Sequence, residues 1–411
     1  MPKGTIVYSV VKSIQHAHPG GHVERPERID GITKHLGTAL KEDLYFREHV
    51  SEMPSKRLAS SDEVGLVHSY LDTLQNNICQ PDREAGMIKD TRECRPADEN
   101  IVVLADEFDI DGCTYATRVS VNCALRAAGT VLDLVDLVCS GVESSSKSVG
   151  DAHDAGSEKT KEGGPKEVCG FAIVRPPGHH ATPLTPLGFC LLNNVAIGAK
   201  YAQRTYGIER VVIFDFDLHN GNGTAEIFWE SDSVMVIDMH EVSSVYEPPE
   251  YVASDCTAIG SGKGSGFTIN IPLPAHAGHE SAIYAFESVV EPMIRRMNPE
   301  LLMVSAGYDA HKEDPFRMLG FSDNTYHWFG SKLAALAHEL CNGRLLFVLE
   351  GGYNADAIGR SVVQTVRGLL GMAEMPGVDM SVQEGEDKLM SLTRGKEVEK
   401  VVAELREIHN I

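Results

Sequence analysis

No Cys-x-x-Cys pair occurs among the nine cysteines, which are odd in number and scattered from Cys79 to Cys341. That spacing argues against a disulfide framework and against a cysteine-ligated zinc site, and points to reduced thiols in an intracellular protein. No apolar run approaches the ~20 residues that a membrane-spanning helix needs. Basic residues are in deficit. The 37 Lys and Arg face 59 Asp and Glu, and the resulting formal charge of −22 repels phosphate backbones, so neither nucleic acid nor a membrane is an expected partner. An internal repeat is also missing. Met1-Pro2-Lys3-Gly4 passes at once into strand-like Thr5-Ile6-Val7-Tyr8, which leaves no room for a cleavable signal. Cytoplasm, nucleus, or an organelle such as a plastid or mitochondrion are the compartments this composition fits.

What is present is a long chain, 411 residues with 42% hydrophobic content, enough for a sizeable core. Its chemistry centres on Phe214-Asp215-Phe216-Asp217-Leu218-His219-Asn220-Gly221-Asn222-Gly223-Thr224, which follows the apolar, β-branched run Arg210-Val211-Val212-Ile213. That run is too short for a helix and reads as a buried parallel strand. Carboxylates at the end of such a strand need a partner, because burying an unpaired charge costs several kcal/mol. In an extended chain Asp217 and His219 leave the same face and can converge on one ion. Taken alone, the stretch fits equally a pair of capping carboxylates beside a packed histidine.

The rest of the chain alternates strand and helix. A loop with His16, His18 and His22 among Pro, Gly and charge leads into a helix near Ile29; its histidines suit capping and pairing with carboxylates better than metal binding. Residues 62–77 and 115–139 read as helices. Between 142 and 167 the composition turns to Glu, Ser, Lys, Gly and Asp, as expected of a disordered surface insertion within a single domain spanning 1–375. Strands are expected at 171–174, 210–216, 234–239, 268–271, 301–305 and 345–349, with helices at 193–205, 226–230, 280–297, 323–341 and 357–370. This pattern implies a three-layer α-β-α architecture around a mostly parallel central sheet. In the charged segment 376–411, Val398, Val401, Val402, Leu405 and Ile408 recur at helical spacing, so an amphipathic helix docks on the domain or, alternatively, makes a dimer contact.

Four of the strands end in chemistry. Arg175-Pro176-Pro177-Gly178-His179-His180 delivers two adjacent imidazoles, Asp215-x-Asp217-x-His219 a metal half-site, Ser305-Ala306-Gly307-Tyr308-Asp309-Ala310-His311 a further carboxylate, and Leu349-Glu350-Gly351-Gly352-Tyr353-Asn354 a tyrosine beside paired glycines. Each alone is ambiguous. In an open α/β sheet such strand ends gather in one crevice, and that makes a catalytic site the better reading.

These motifs, with Gly188-Phe189-Cys190-Leu191-Leu192-Asn193-Asn194, resemble the histone deacetylase family in the same order along roughly residues 5–371, and specifically its class II branch of plant and bacterial type. The resemblance implies the arginase/deacetylase fold and a zinc-dependent amidohydrolase that removes acetyl groups from lysine side chains, inhibited by hydroxamates. It places the metal on Asp217, His219 and Asp309, a set that would also accept iron(II) or cobalt(II). It makes His179 and His180 the proton-transfer pair, oriented by Asp215 and Asn222, and Tyr353 the donor to the developing oxyanion. Gly188 and Phe189 would line the acyl-lysine channel, with Asp111 at its rim. A monovalent cation site, for potassium, would use Asp215, Asp217, His219, Phe228, Asp238 and Met239, with Asp238 standing where the family has a serine. Asn220 replaces a second histidine. The loop 241–254 departs from the usual channel loop, and Tyr246 is the candidate for its missing aromatic. Acetylated proteins are the expected substrates. Small acetylated amines are the alternative, although polyamine-selective relatives carry a glutamate where this chain has Phe316. A non-catalytic scaffold is disfavoured because Tyr353 and both histidines are present, and an arginase-type two-metal site because residues 217–221 lack the further aspartate.

Overall fold

The computed structural model describes residues 4–14, 16–17, 22–72, 74–75, 101–103, 114–117, 119–140, 167–243, 253–375 and 386–411. All but the last residue of the expected insertion at 142–167, together with Asp111, Tyr246 and residues 376–385, lie outside them.

Strands β1 (Thr5–Val10), β2 (Val50–Glu52), β5 (Val168–Ile173), β6 (Val211–Asp215), β7 (Val234–Glu241), β8 (Thr268–Leu273), β9 (Leu301–Ala306) and β10 (Leu345–Leu349) form one sheet, and the short β3 (Ile101–Val103) and β4 (Tyr115–Thr117) pair separately. Every neighbouring pair in the eight-stranded sheet is parallel, in the order β2-β1-β5-β10-β9-β6-β7-β8. Parallel strands need crossovers and so carry helices on both faces, which is why β5, β6, β9 and β10 are apolar runs buried along their whole length. One apolar cluster packs Phe171, Phe214, Phe216 and Phe347 against the helices on one face; a second packs Val131, Val135, Ile197 and Met303 on the other.

The order has a consequence for the site. The chain leaves a gap between β5 and β6 that β10 and β9 later fill, so the four strands whose ends carry polar motifs become four consecutive central strands. Their C-terminal ends share one edge.

Several boundaries differ from expectation. Residues 115–117 form β4, and the helix begins only at Ser120, running to Ser140. The helix expected over 62–77 is interrupted: one turn at Ser61–Val64 is closed by a Ser60/Glu63 capping box, the Ser69 amide then donates to the Pro183 carbonyl, a tertiary bond that competes with helix continuation, and helical residues return at 71–72 and 74–75, residues 73, 76 and 77 lying outside the described ones. The helix expected at 226–230 sits earlier, at Asn222–Ile227, because the chain turns at Gly221 immediately after the metal half-site. The expected helix 280–297 contains a π-helical segment, Phe286–Val290. Helix Glu386–His409 buries Val398, Val402 and Leu405 in the same cluster as β8, and Arg296 donates to the carbonyls of His409 and Asn410 at 2.6 and 2.9 Å. No described helix is long and apolar enough to cross a membrane.

Candidate active site

Asp217, His219 and Asp309 place their ligand atoms within 4.8 Å of one another. Asp217 and His219 come from the turn after β6, and Asp309 from the turn after β9, the neighbouring strand. Both carboxylates are buried, and His219 Nδ1 stands 3.2 Å from Asp217 Oδ1 and 3.1 Å from Asp309 Oδ2. Burial lowers the His219 imidazole, but the two carboxylates outweigh it and raise the ring to about 10. Two buried anions converging on one nitrogen lone pair form a cavity that demands positive charge, and an oxygen, oxygen, nitrogen donor set meets the demand of a divalent ion such as zinc. The residues present therefore fit a metal.

Glycine is required around this point. A Cβ on Gly307 would overlap the Asp217 carboxylate, and one on Gly351 would overlap those of Asp309 and Asp217. The Gly351 amide instead donates to Asp217 Oδ2 at 2.8 Å, and the Leu218 amide to Asp309 Oδ1 at 2.9 Å, which fixes the orientation of both acids.

The tandem imidazoles arrive after β5 through a cis Arg175–Pro176 bond, and their ring centroids lie 4.0 Å apart. His179 Nδ1 pairs with Asp215 Oδ2 at 3.0 Å, and its Nε2 lies 3.8 Å from Asp217. His180 Nδ1 faces the Asn222 carbonyl oxygen at 2.8 Å. The two rings are driven apart. Burial alone would lower both, but Asp217 and Asp215 hold His179 well above its usual range, whereas burial and the charge of His179 hold His180 well below it.

Tyr353 follows β10 with its phenol nearly buried, and its ring meets Phe189 at 5.9 Å and Phe316 at 5.4 Å, both edge to face. Phe316 also stands over His219 at 5.2 Å. Gly188 and Phe189 both adopt positive φ, at 53° and 67°, which swings the Phe189 ring towards His22 and Tyr353. These aromatic rings wall the approach to the three ligands.

Of the residues expected at a cation site, Asp215 and Asp238 sit opposite each other on β6 and β7. Both Asp238 oxygens already have protein partners: Oδ1 the His240 ring at 2.7 Å, and Oδ2 the Gly221 amide at 2.6 Å and Asn220 Nδ2 at 3.3 Å. Met239 is buried beside it on β7, and Phe228, at the end of the 222–227 helix, packs under the Lys200 ammonium. Asn220 is held by Asp238 and Asn270, away from the three ligands.

Sequence reasoning missed a buried ionic network behind the tyrosine. Glu24 receives Arg175 at both oxygens, at 2.5 and 2.6 Å, and Arg28 at 3.0 Å. Burial would raise Glu24, yet Arg175 and Arg28 bring it down to about 2. Arg28 donates in turn to the Gly352 carbonyl at 2.5 Å and to the Glu350 carbonyl, and its guanidinium lies 4.9 Å from the Tyr353 ring centre. Glu350 accepts from the Gly178 and His179 amides at 2.6 and 3.1 Å. The only sequence signal was the charge of the 24–28 stretch. His16 lies beside a carboxylate, as expected of this loop, with Nε2 3.5 Å from Glu24 Oε2; it is fully buried, stacked on Tyr115 and bonded to Ser120 at 2.7 Å.

Comparison with known proteins agrees with this geometry. The histone deacetylase domain matches residues 22–369. The chain is 34% identical to "Histone deacetylase 10, chloroplastic" of Oryza sativa subsp. japonica, over 89% of this chain and 73% of that one. It is also 34% identical to "Histone deacetylase 14, chloroplastic" of Arabidopsis thaliana, over 89% and 77%. Among solved structures, the HD domain of HDA15 superposes with a TM-score of 0.72 at 27% identity, covering 99% of this chain and 94% of that one. The chain belongs to the histone deacetylase family, within the arginase/deacetylase superfamily, and is an amidohydrolase.

Proposed function

We propose that this chain is a zinc-dependent deacetylase that hydrolyses the acetyl amide of lysine side chains in proteins. The observation that carries the reading is the convergence of Asp217, His219 and Asp309 at the foot of an aromatic-walled approach, with two differently partnered imidazoles and a phenol around the same point.

Asp217, His219 and Asp309 hold the ion. When bound, it polarises the acetyl carbonyl and makes a water molecule acidic enough to attack near neutral pH. The chain's own groups do the rest. The Asn222 carbonyl accepts from His180 Nδ1–H, which leaves Nε2 with a lone pair to take the proton of the attacking water. His179, paired with Asp215, keeps positive charge beside the reacting carbon, and the pair returns a proton to the departing amine. The Tyr353 hydroxyl donates to the oxygen on which charge develops. Phe189 and Phe316 enclose the apolar four-carbon stem of lysine and exclude water. Asp238 and its neighbours form the candidate potassium site, in which Asp238 would exchange some of its present partners for the ion.

Phe316 favours this substrate class over polyamines, because an apolar ring offers no attraction to a second ammonium group. N-acetyl arylalkylamines remain the competing class, since the same ring would stack on them. Two relatives named chloroplastic support a plastid location. The test is a rate comparison on zinc-loaded protein, setting an acetyl-lysine peptide against acetylated polyamines and an N-acetyl arylalkylamine, with a hydroxamate control. Hydroxamate-sensitive turnover of the peptide is expected; turnover of a small amine alone would shift the substrate class, and turnover of none would remove the enzymatic reading.

A further inference from the structure

Asp314 is 1% exposed and has no cationic side chain within ion-pair distance among the described residues. Its carboxylate is instead shared between two loops. Oδ2 accepts from the Tyr353 amide at 2.7 Å and from the Asn354 amide at 3.3 Å, while Oδ1 accepts from the Phe316 amide at 3.2 Å. The side-chain amide of Asn354 completes the link by donating to the Glu313 carbonyl at 2.9 Å. One carboxyl group thus ties the segment bearing the channel-wall ring of Phe316 to the segment bearing the Tyr353 phenol, and those two rings meet edge to face at 5.4 Å.

We propose that Asp314 is a positioning residue that sets the Tyr353 hydroxyl by holding its backbone amide, and couples that setting to the Phe316 wall. The inference rests on the role assigned to Tyr353 above. A buried carboxylate without a counter-ion is expensive, so a purely structural staple has cheaper solutions in serine or asparagine. Only a carboxylate presents acceptor lone pairs in both directions with no competing donor; asparagine would turn an NH2 towards one of the two loops. Burial and then the charge of Asp309 push Asp314 up to about 7, as expected where the backbone amides only partly compensate desolvation. Because the Tyr353 ring is carried by the very residue whose amide is held, a release of that amide displaces the hydroxyl, and misplacement of about 1 Å is enough to lose on the order of 100-fold in rate.

A structural staple and a positioning residue differ in a double-mutant cycle. Asp314→Asn is expected to lower kcat on an acetyl-lysine peptide by roughly 10- to 100-fold, with zinc content unchanged by elemental analysis. In the Tyr353→Phe background the same substitution is expected to change kcat by less than about twofold, because the hydroxyl it positions is gone. Equal losses in both backgrounds would reduce Asp314 to a general staple and overturn the inference. Should Tyr353→Phe alone retain full turnover, the reading of Tyr353 fails first and takes this inference with it, an outcome the cycle separates from the previous one. If Asp314→Asn does not fold, hydrogen exchange of the wild-type 350–356 segment decides: slow exchange of the Tyr353 amide supports the held amide, and exchange at the rate of an open loop overturns it.

Discussion

At the scale of single residues, the phenol of Tyr353 is the group whose removal is most informative. It keeps its proton well above the ordinary tyrosine range, through burial and then the nearby Asp309 carboxylate, so it acts as a donor and not as an anion. Tyr353→Phe removes one oxygen and leaves the ring packed on Phe189 and Phe316; kcat should fall about 100- to 1,000-fold while metal content stays intact, as is typical for the loss of one oxyanion donor. Near-normal turnover would take Tyr353 out of the mechanism. The segments that carry Asp217, His219, Asp309, His179, His180 and Tyr353 could be picked out in the sequence because each follows an apolar run, and the resemblance to the family then implied a role for each residue. Glu24, Arg28, Glu350 and Asp314 could not. Glu24 is held by the side chains of Arg28 and Arg175, the latter 151 positions away, while Arg28, Glu350 and Asp314 reach backbone amides and carbonyls, as far as the 324 positions between Arg28 and Gly352, and backbone groups leave no mark on sequence.

At the scale of elements, strands were more legible than helices at their ends. Buried parallel strands announce themselves as β-branched runs, and β9 and β10 fall within a residue of where periodicity puts them. The middle of the 62–77 segment misled because its helical composition is overruled there by tertiary bonds: His68 is clamped between the Thr182 carbonyl and the Asn193 amide, each at 2.8 Å. The C-terminal helix offers a test of docking. The helix packs on the π-helical region and β8, and Leu405 is fully buried in the cluster they share, so Leu405→Ala should cost about 2–4 kcal/mol in chemical unfolding. A loss below about 0.5 kcal/mol, the range of surface substitutions, would mean that the helix does not pack there in solution. The helix lies beyond the residues that match the family domain, so its seat on the sheet's β8 edge is a feature of this chain that the match does not cover.

At the scale of the whole molecule, two buried histidines set a limit on acid stability. His68 receives the Asn193 amide on Nε2 and must stay neutral; burial lowers it to about 4. His16 is likewise brought to about 4 by burial, against the opposing pull of Glu24. The unfolded chain takes up protons near 6.5 that the folded chain refuses until about 4, so stability present above that upper value is lost as pH falls through the window, by up to about 3 kcal/mol per histidine. Thermal unfolding from pH 7 to pH 4.5 should show this fall, and His68→Gln should flatten it; an unchanged slope would remove His68 as a cause. The function rests on a different charge balance. Two buried carboxylates and an imidazole are arranged around a point that only a cation can satisfy, and every proposed role turns on that point. The most direct measurement is therefore turnover of an acetyl-lysine peptide by wild type and Asp309→Asn after metal removal and titration with zinc, with bound metal read by elemental analysis. The account predicts that stripped wild type is inert and regains full hydroxamate-sensitive turnover at one ion per chain, while Asp309→Asn binds zinc weakly and stays nearly inactive. Undiminished turnover by the stripped protein, or full metal occupancy and activity in Asp309→Asn, would contradict it.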